Sequence, residues 1–468
     1  MSLPLSQLHG HRPAGDIPVA VPAYDRSALG VGIIHFGLGN FHRAHEAMYL
    51  DRLLAAGEDP GWGICGVGVM PGDARMRDVL AAQDNLYTLV LKAGDGGLEA
   101  RVIGSIARFL YAPDDPEAVL RALAAPGTRI VSLTVTEGGY RLPEAADSAG
   151  VFALIIAGLA RRRAAGIAPF TVLSCDNVPG NGDVARSVVL DCARRSDPAL
   201  AEWIAAEVAF PNSMVDRITP VTTDADRALV AERLGLEDAW PVVAEPFVQW
   251  VVEDHFPAGR PAWERAGVQL VEDVEPYELM KLRLLNAAHQ GMAYTGLLRG
   301  FTFAHEAAAD PVIAGFLHRY LAEARASLEA VPGINLDDYI RQLFIRFTNP
   351  AIADTLDRLA TDAVNRIPKF VLPAVRDNLA AGRPAGAGAL LVAAWAEWVA
   401  RSPEPGDPLE HEVWTRARNL GEDPLAFLRC EQVFGELANN AIFSEGYIAS
   451  LEAIRAHGID AALEGSPE

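Results

Sequence analysis

The chain is short of cationic side chains, of cysteine and of long apolar runs, and each shortage removes a class of function. Lys and Arg number 40 against 61 Asp and Glu, a formal net charge of -21 over 468 residues. Such a surface repels phosphate backbones and anionic bilayers alike, so neither nucleic acid nor a membrane is an expected partner. The cysteines, Cys65, Cys175, Cys192 and Cys430, show no CxxC spacing, so no disulfide framework is expected and a reduced cytoplasmic setting fits. The longest apolar stretches, 151–160 and 389–396, fall short of the roughly 20 residues that a bilayer requires. The start, MSLPLSQLHGHRPAGDIP, lacks the basic segment and apolar core of a secretory leader. No internal repeat is present, and the Ala/Gly-rich stretch 380–389 reads as a loop between helices.

What is abundant is apolar surface: half of the residues are hydrophobic, enough for two sizeable domains. Short apolar runs at 31–36, 62–69, 86–91, 129–136 and 170–175 alternate with amphipathic stretches. That alternation is the mark of α/β architecture, a Rossmann-type, doubly wound and mostly parallel sheet. From about Pro276 onward helical periodicity takes over. The expected organisation is therefore a dinucleotide-binding domain over 1–280 and a mainly α-helical catalytic domain over 281–468, with the active site in the cleft that such pairs of domains form.

The first strand runs into HFGLGNFHRAH, where Gly37 and Gly39 occupy a tight turn before a helix expected to open near Phe41. Glycines there let the backbone approach a pyrophosphate, and the helix N–H groups then face its charge. His42 stands where a third glycine of GxGxxG would be, and the turn alone does not separate a nucleotide site from an ordinary glycine turn. Asp73, after the second strand, is placed to accept from ribose hydroxyls, which favours NAD over NADP. It could equally cap the following helix, and Arg75 and Arg77 lie close enough in sequence to serve NADP. His35, His42, His45 and Glu46 cluster by the same turn; nucleotide contact or helix packing explains them better than a metal, and no metal is expected.

Three further segments carry candidate chemistry. In SCDNVPGNG, at a strand's carboxyl end, the amide of Asn177 could donate to an oxyanion, although Asp176, Asn177, Pro179 and Gly180 are all common turn formers. In PNSMVDRITP, Asp216 and Arg217 are either substrate contacts or an internal ion pair. In KLRLLNAAH, 281–289, Asn286 and His289 are spaced to share a helix face, and the stem of Lys281 can reach the same region. Glu278 can face Lys281. Burial lowers a lysine's pKa and would supply a neutral amine as base; on spacing alone, a solvated surface lysine fits the same pattern.

Together GLGNFHRAH, ICGVGVMPGD, TEGGY, SCDNVPGNG, FPNSMVDRITP, EPFVQWVVED, KLRLLNAAH and NPAIADTLDRLATD resemble, in order, the polyol-specific long-chain dehydrogenase/reductase family, from about residue 30 to about residue 370. The resemblance implies a metal-independent, NAD-dependent enzyme, working as a monomer on a small polyol and its ketose, with D-mannitol and D-fructose as the pair. It places the catalytic lysine on Lys281, oxyanion donors on Asn177 and Asn286, and the substrate-orienting histidine on His289. It further implies substrate contacts at Asp216 and Arg358, cofactor contacts at Gly37, Gly39 and Phe41, and the coenzyme-selecting carboxylate at Asp73. Arg366 stands where similar enzymes commonly carry a lysine, so the contact to the substrate's far end differs. Arabinitol, sorbitol or fructuronate are alternative substrates, and a nucleotide-binding protein without turnover is the alternative of a different class.

Overall fold

The computed structural model describes residues 2–8, 13–58, 60–140 and 150–465; Met1 and 9–12 of the N-terminal stretch read above lie outside the described residues. The chain divides into two compact units, Met1–Glu275 and Pro276–Glu468. The boundary expected at 280/281 falls where the helix Glu275–Met280 runs directly into Lys281–Asn286 and then Ala287–Leu298.

The first unit is built on five strands, β1 (Val31–Phe36), β2 (Gly63–Gly68), β3 (Ile106–Tyr111), β4 (Ile130–Leu133) and β5 (Thr171–Ser174). They lie in the order β3-β2-β1-β4-β5, with all neighbours parallel. This is the doubly wound order that reverses direction between β1 and β4, where ligands of such sheets bind. Successive residues of a strand face opposite ways, and both faces are apolar here. Ile33, Ile64 and Leu173 enter one buried cluster, while Ile34, Cys65 and Val172 enter another. Two of the sequence expectations shift. The 86–91 run is a strand, Tyr87–Lys92, but it lies in a separate sheet beside Leu98–Ile103. These two strands pair antiparallel because the link between them is too short for a parallel crossover. The 129–136 run leaves its sheet after Leu133. A three-stranded sheet carries β6 (Ser213–Asp216) between the Rossmann strands and the second unit in sequence.

The helices that matter here are α1 (Asn40–Ala44), α2 (Glu46–Ala55), α3 (Asp73–Ala82) and α4 (Asn181–Ser196) in the first unit. In the second they are α5 (Glu275–Met280), α6 (Ala287–Leu298), α7 (Leu356–Ala360), α8 (Ala363–Phe370) and α9 (Gly386–Arg401). Among the described residues of the second unit, regular secondary structure is helical apart from one isolated bridge, Phe303 to Thr355. Its core centres on α9, whose Trp395 packs edge-on against Phe427 at 4.8 Å. The expected loop 380–389 is shorter than its composition suggests. Residues from Gly386 are already helical, and a Cβ on Gly388 would lie 2.5 Å from Val375 Cγ2, so that glycine serves close packing rather than a turn. Among the described residues no helix is long and apolar enough to cross a membrane.

Candidate active site

At the carboxyl end of β1 the chain turns at Gly37, φ +90°. A Cβ there would sit 2.1 Å from the Thr134 carbonyl oxygen, so no other residue fits. Thr134 Oγ1 and the Gly39 N–H both donate to the Gly37 carbonyl at 2.6 Å, which closes the turn. Gly39 is exposed, and a Cβ built on it would meet only Gly37 O, at 3.8 Å. The backbone is therefore open to a group as close as a pyrophosphate, at the sheet's reversal point. Helix α1 begins at Asn40, one residue before the expected Phe41, and breaks after one turn at His45 before α2 resumes. Half-buried Phe41 stacks on His45 with ring centroids 4.9 Å apart.

His42, in the third-glycine position, is buried and stacks on His35 at 3.4 Å. Both Nδ1 atoms face one oxygen of buried Glu46, at 3.2 Å from His35 and 3.1 Å from His42. Ser132 Oγ donates to the same oxygen at 2.9 Å. Burial, with His35 alongside, pushes the His42 imidazole down to about 3 and keeps it neutral. His35, His42 and Glu46 have ligating atoms close enough to gather a cation, and His42 Nε2 and Glu46 Oε1 are buried without a hydrogen-bond partner among the described residues. His45 points elsewhere, donating from Nε2 to the Gln249 carbonyl at 3.0 Å, and burial pushes it down to about 4.

Asp73 is the first residue of α3, with Gly72 rather than Asp73 at the cap. Its Oδ2 accepts from the Val69 and Met70 N–H groups, each at 2.9 Å. One carboxylate oxygen thus shapes the loop after β2, and Oδ1 is the one with no hydrogen bond among the described residues. Arg75 lies over the Trp240 ring at 4.8 Å, and Arg77 pairs with Asp78 and Asp114.

Beyond β5, Asn177 is exposed and follows the buried Asp176. Asn181, at the start of α4, ties this corner to β6 by donating from Nδ2 to the Asp176 carbonyl at 3.0 Å and the Ser213 carbonyl at 2.8 Å. Asp216 ends β6 and is buried. Arg217, the ion-pair partner considered for it, instead directs its guanidinium to the carbonyls of Ala44 at 2.6 Å and Glu245 at 2.9 Å.

In the second unit, Lys281–Asn286 is one π-helical turn set between α5 and α6. Such turns are rare insertions in α-helices and gather at functional sites. Lys281 is only 7% exposed and Asn286 8%. The Asn286 Nδ2 atom is buried and has no hydrogen-bond partner among the described residues, a condition that costs about 1–3 kcal/mol unless a ligand relieves it. His289 is half-buried, tilted against Phe347 at 4.9 Å, and Glu278 is half-buried on α5. Arg358, on α7, is exposed but held by Asp354: Nε donates to Oδ1 at 2.6 Å and a second N–H to Oδ2. Half-buried Arg366, on α8, donates to the Leu359 carbonyl at 3.2 Å. Asp354 went unremarked in the sequence, although its spacing of four from Arg358 is the ordinary signal for such a pair.

Residues 31–265 match the mannitol dehydrogenase Rossmann domain and 273–455 the mannitol dehydrogenase C-terminal domain. Mannitol 2-dehydrogenase of Cereibacter sphaeroides is 46% identical over 95% of this chain and 98% of its own length. That of Phaeosphaeria nodorum is 44% identical over 95% of this chain and 83% of its own. Among solved structures, the Pseudomonas fluorescens mannitol 2-dehydrogenase ternary complex with NAD and D-mannitol is similar at TM-score 0.84 and 42% identity, covering 96% of both chains. A substrate-free D-sorbitol dehydrogenase is similar at TM-score 0.88 and 36% identity, covering 97% of this chain and 98% of its own.

Proposed function

This chain belongs to the mannitol dehydrogenase family, and from that premise we propose that it is an NAD-dependent polyol dehydrogenase. Its reaction is the metal-independent oxidation of D-mannitol at C2 to D-fructose, and the reverse. The observation that carries the reading is the buried, unpartnered amide of Asn286 on the same π-helical turn as buried Lys281. A donor left waiting beside a base suits an oxygen that loses a proton and gains charge.

Gly37 and Gly39 provide the open turn for the pyrophosphate of NAD, Phe41 packs behind it, and Asp73 offers Oδ1 to the ribose hydroxyls, which disfavours a 2′-phosphate. NAD held there would supply the acceptor for the hydride leaving C2, and NADH the donor in the reverse direction. Neutral Lys281 takes the C2 hydroxyl proton. Asn177 and Asn286 donate hydrogen bonds to the oxygen as it becomes an alkoxide, and His289 orients it. Glu278, on the turn before Lys281, passes the proton onward. Asp216 and Arg358 hold the remaining hydroxyls, and Arg366 supports Arg358 from the end of its helix. The chemistry needs no Lewis acid, because amine and amides supply both proton transfer and charge stabilisation.

Arg358 carries its own counter-ion in Asp354, so it presents no unpaired cation to a uronate carboxylate, and a neutral polyol is the better fit. D-Sorbitol is the second reading, favoured by the structural likeness to D-sorbitol dehydrogenase. It differs from D-mannitol only in configuration at C2 and yields the same ketose. Initial rates with NAD and with NADP on D-mannitol, D-sorbitol, D-arabinitol and fructuronate separate these cases. The proposal expects D-mannitol with NAD to have the highest kcat/KM; turnover with none of the four would leave only a nucleotide-binding role.

A further inference from the structure

Thr136 has φ +66°, a left-handed backbone that a β-branched residue adopts only where its surroundings force it. The force comes from the tip of β5. Buried Asp176 accepts the Thr136 N–H on Oδ1 at 2.8 Å and the Val135 N–H on Oδ2 at 3.1 Å. The Tyr140 hydroxyl donates to Oδ2 at 2.7 Å and lies 2.7 Å from Ser174 Oγ. The Asp176 main chain is held as firmly, its carbonyl accepting from Asn181 Nδ2 at 3.0 Å and from the Val178 N–H at 2.9 Å. At the other end of the turn, Thr134 Oγ1 donates to the Gly37 carbonyl at 2.6 Å and lies 2.9 Å from His35 Nε2. Residues 134–140 therefore tie the glycine turn to the strand tip that carries Asn177.

We propose that Asp176 is a positioning residue for the reaction: its carboxylate clamps the strained 134–140 turn against β5 and thereby fixes the direction in which Asn177 presents its amide. The proposal rests on the reading of Asn177 as an oxyanion donor. A carboxylate is needed because three donors converge on it, whereas an asparagine offers one acceptor oxygen and turns an NH2 toward an N–H. Cleavage of this clamp leaves Asn177 in place in the chain but lets the backbone that carries it shift, and donors misplaced by about 1 Å lose on the order of 100-fold in rate.

The test is a double-mutant cycle on kcat with Asp176→Asn, Asn177→Ala and the pair, with NAD affinity and Tm measured on each. Asp176→Asn is expected to lower kcat by about 30-fold with NAD affinity within about twofold, and to add less than about twofold once Asn177 is alanine. Adding Thr136→Gly to Asp176→Asn should restore kcat at least ~3-fold, since glycine takes the left-handed backbone without a clamp. A full Asp176→Asn penalty in the Asn177→Ala background, or no penalty in the wild type, overturns the proposal while leaving Asn177 its role. Normal turnover by Asn177→Ala alone removes that role and the proposal with it. Should Asp176→Asn not fold, Tyr140→Phe enters the same cycle; it deletes one donor to the clamp and should cost about fivefold, again only where Asn177 is present.

Discussion

Lys281 and Asn286 are the first and last residues of a single π-helical turn. At 3.6 residues per turn, residues five apart in an α-helix point about 140° away from each other. The wider turn, with its i→i+5 bonding, brings them to one side. The Ala287 N–H reaching back to the Leu282 carbonyl is one such bond. On the proposed reading, a base and an amide donor thereby address one oxygen from a single backbone segment. Asn286→Ala should lower kcat by about 10²–10³, the usual worth of one oxyanion donor, and should leave the KM for NAD unchanged. Steady-state kinetics of the variant check this.

Gly37 is the position where the turn after β1, proposed to take the nucleotide, tolerates least. A Cβ 2.1 Å from the Thr134 oxygen, at φ +90°, cannot be accommodated without moving the turn. Gly37→Ala is expected to weaken NAD binding at least ~10-fold and to cost about 1–3 kcal/mol of stability. Calorimetric titration and thermal unfolding measure the two effects separately. An alanine variant matching the wild type in both would show that the turn does not hold the cofactor.

The buried histidines set an acid limit on stability. His42 and His45 are held at about 3 and about 4 by burial, against an ordinary value of about 6.5 in the unfolded chain. The unfolded chain therefore binds more protons below that value, so stability is complete above it and declines as the pH falls toward about 4. Each histidine contributes about 1.4 kcal/mol per pH unit in that window. Glu46, whose pKa is lowered by His35 and His42 against the opposing effect of burial, adds its own loss only below the usual carboxylate range. Urea unfolding at pH 7 and pH 5 should differ by on the order of 3 kcal/mol, and His45→Gln should remove close to half of that difference. Equal stability at both values would mean that these rings are not buried neutral.

On the proposed reading, the Arg358–Asp354 pair sets the charge that the substrate's far end meets. Arg358→Ala should raise the KM for the polyol about tenfold or more with a smaller change in kcat, the pattern of lost uniform binding. Asp354→Asn removes the counter-ion and should shift the kcat/KM ratio toward fructuronate and away from D-mannitol. An unchanged ratio would separate Arg358 from substrate recognition.

Much of this was legible in the sequence where local chemistry and tertiary role coincide. The run from Val31 into Gly37 and Gly39 reads as strand and tight turn, and at Gly37 only glycine serves. What stayed hidden depends on partners that spacing does not name. The 86–91 run is plainly a strand, yet nothing in it says that Leu98–Ile103 is its antiparallel neighbour. The π-helical turn has the same residues as an α-helix would, so its altered phase could not be read. Asp176 looked like a turn former because its three donors come from residues some forty positions earlier. His42 read as a departure from a glycine pattern, when its place is to fill the space against His35 and Glu46. Asp73 was read as a ribose or cap carboxylate; the structure puts Gly72 at the cap and has Asp73 bracing the Val69 and Met70 amides.

The central claim is that the amine of Lys281 moves the proton, and Lys281→Ala tests it most directly, with kcat for D-mannitol and affinity for NAD measured on the same folded preparation. The account predicts that kcat falls by about 10⁴ or more while NAD affinity stays within about twofold. Turnover within about tenfold of the wild type would contradict it.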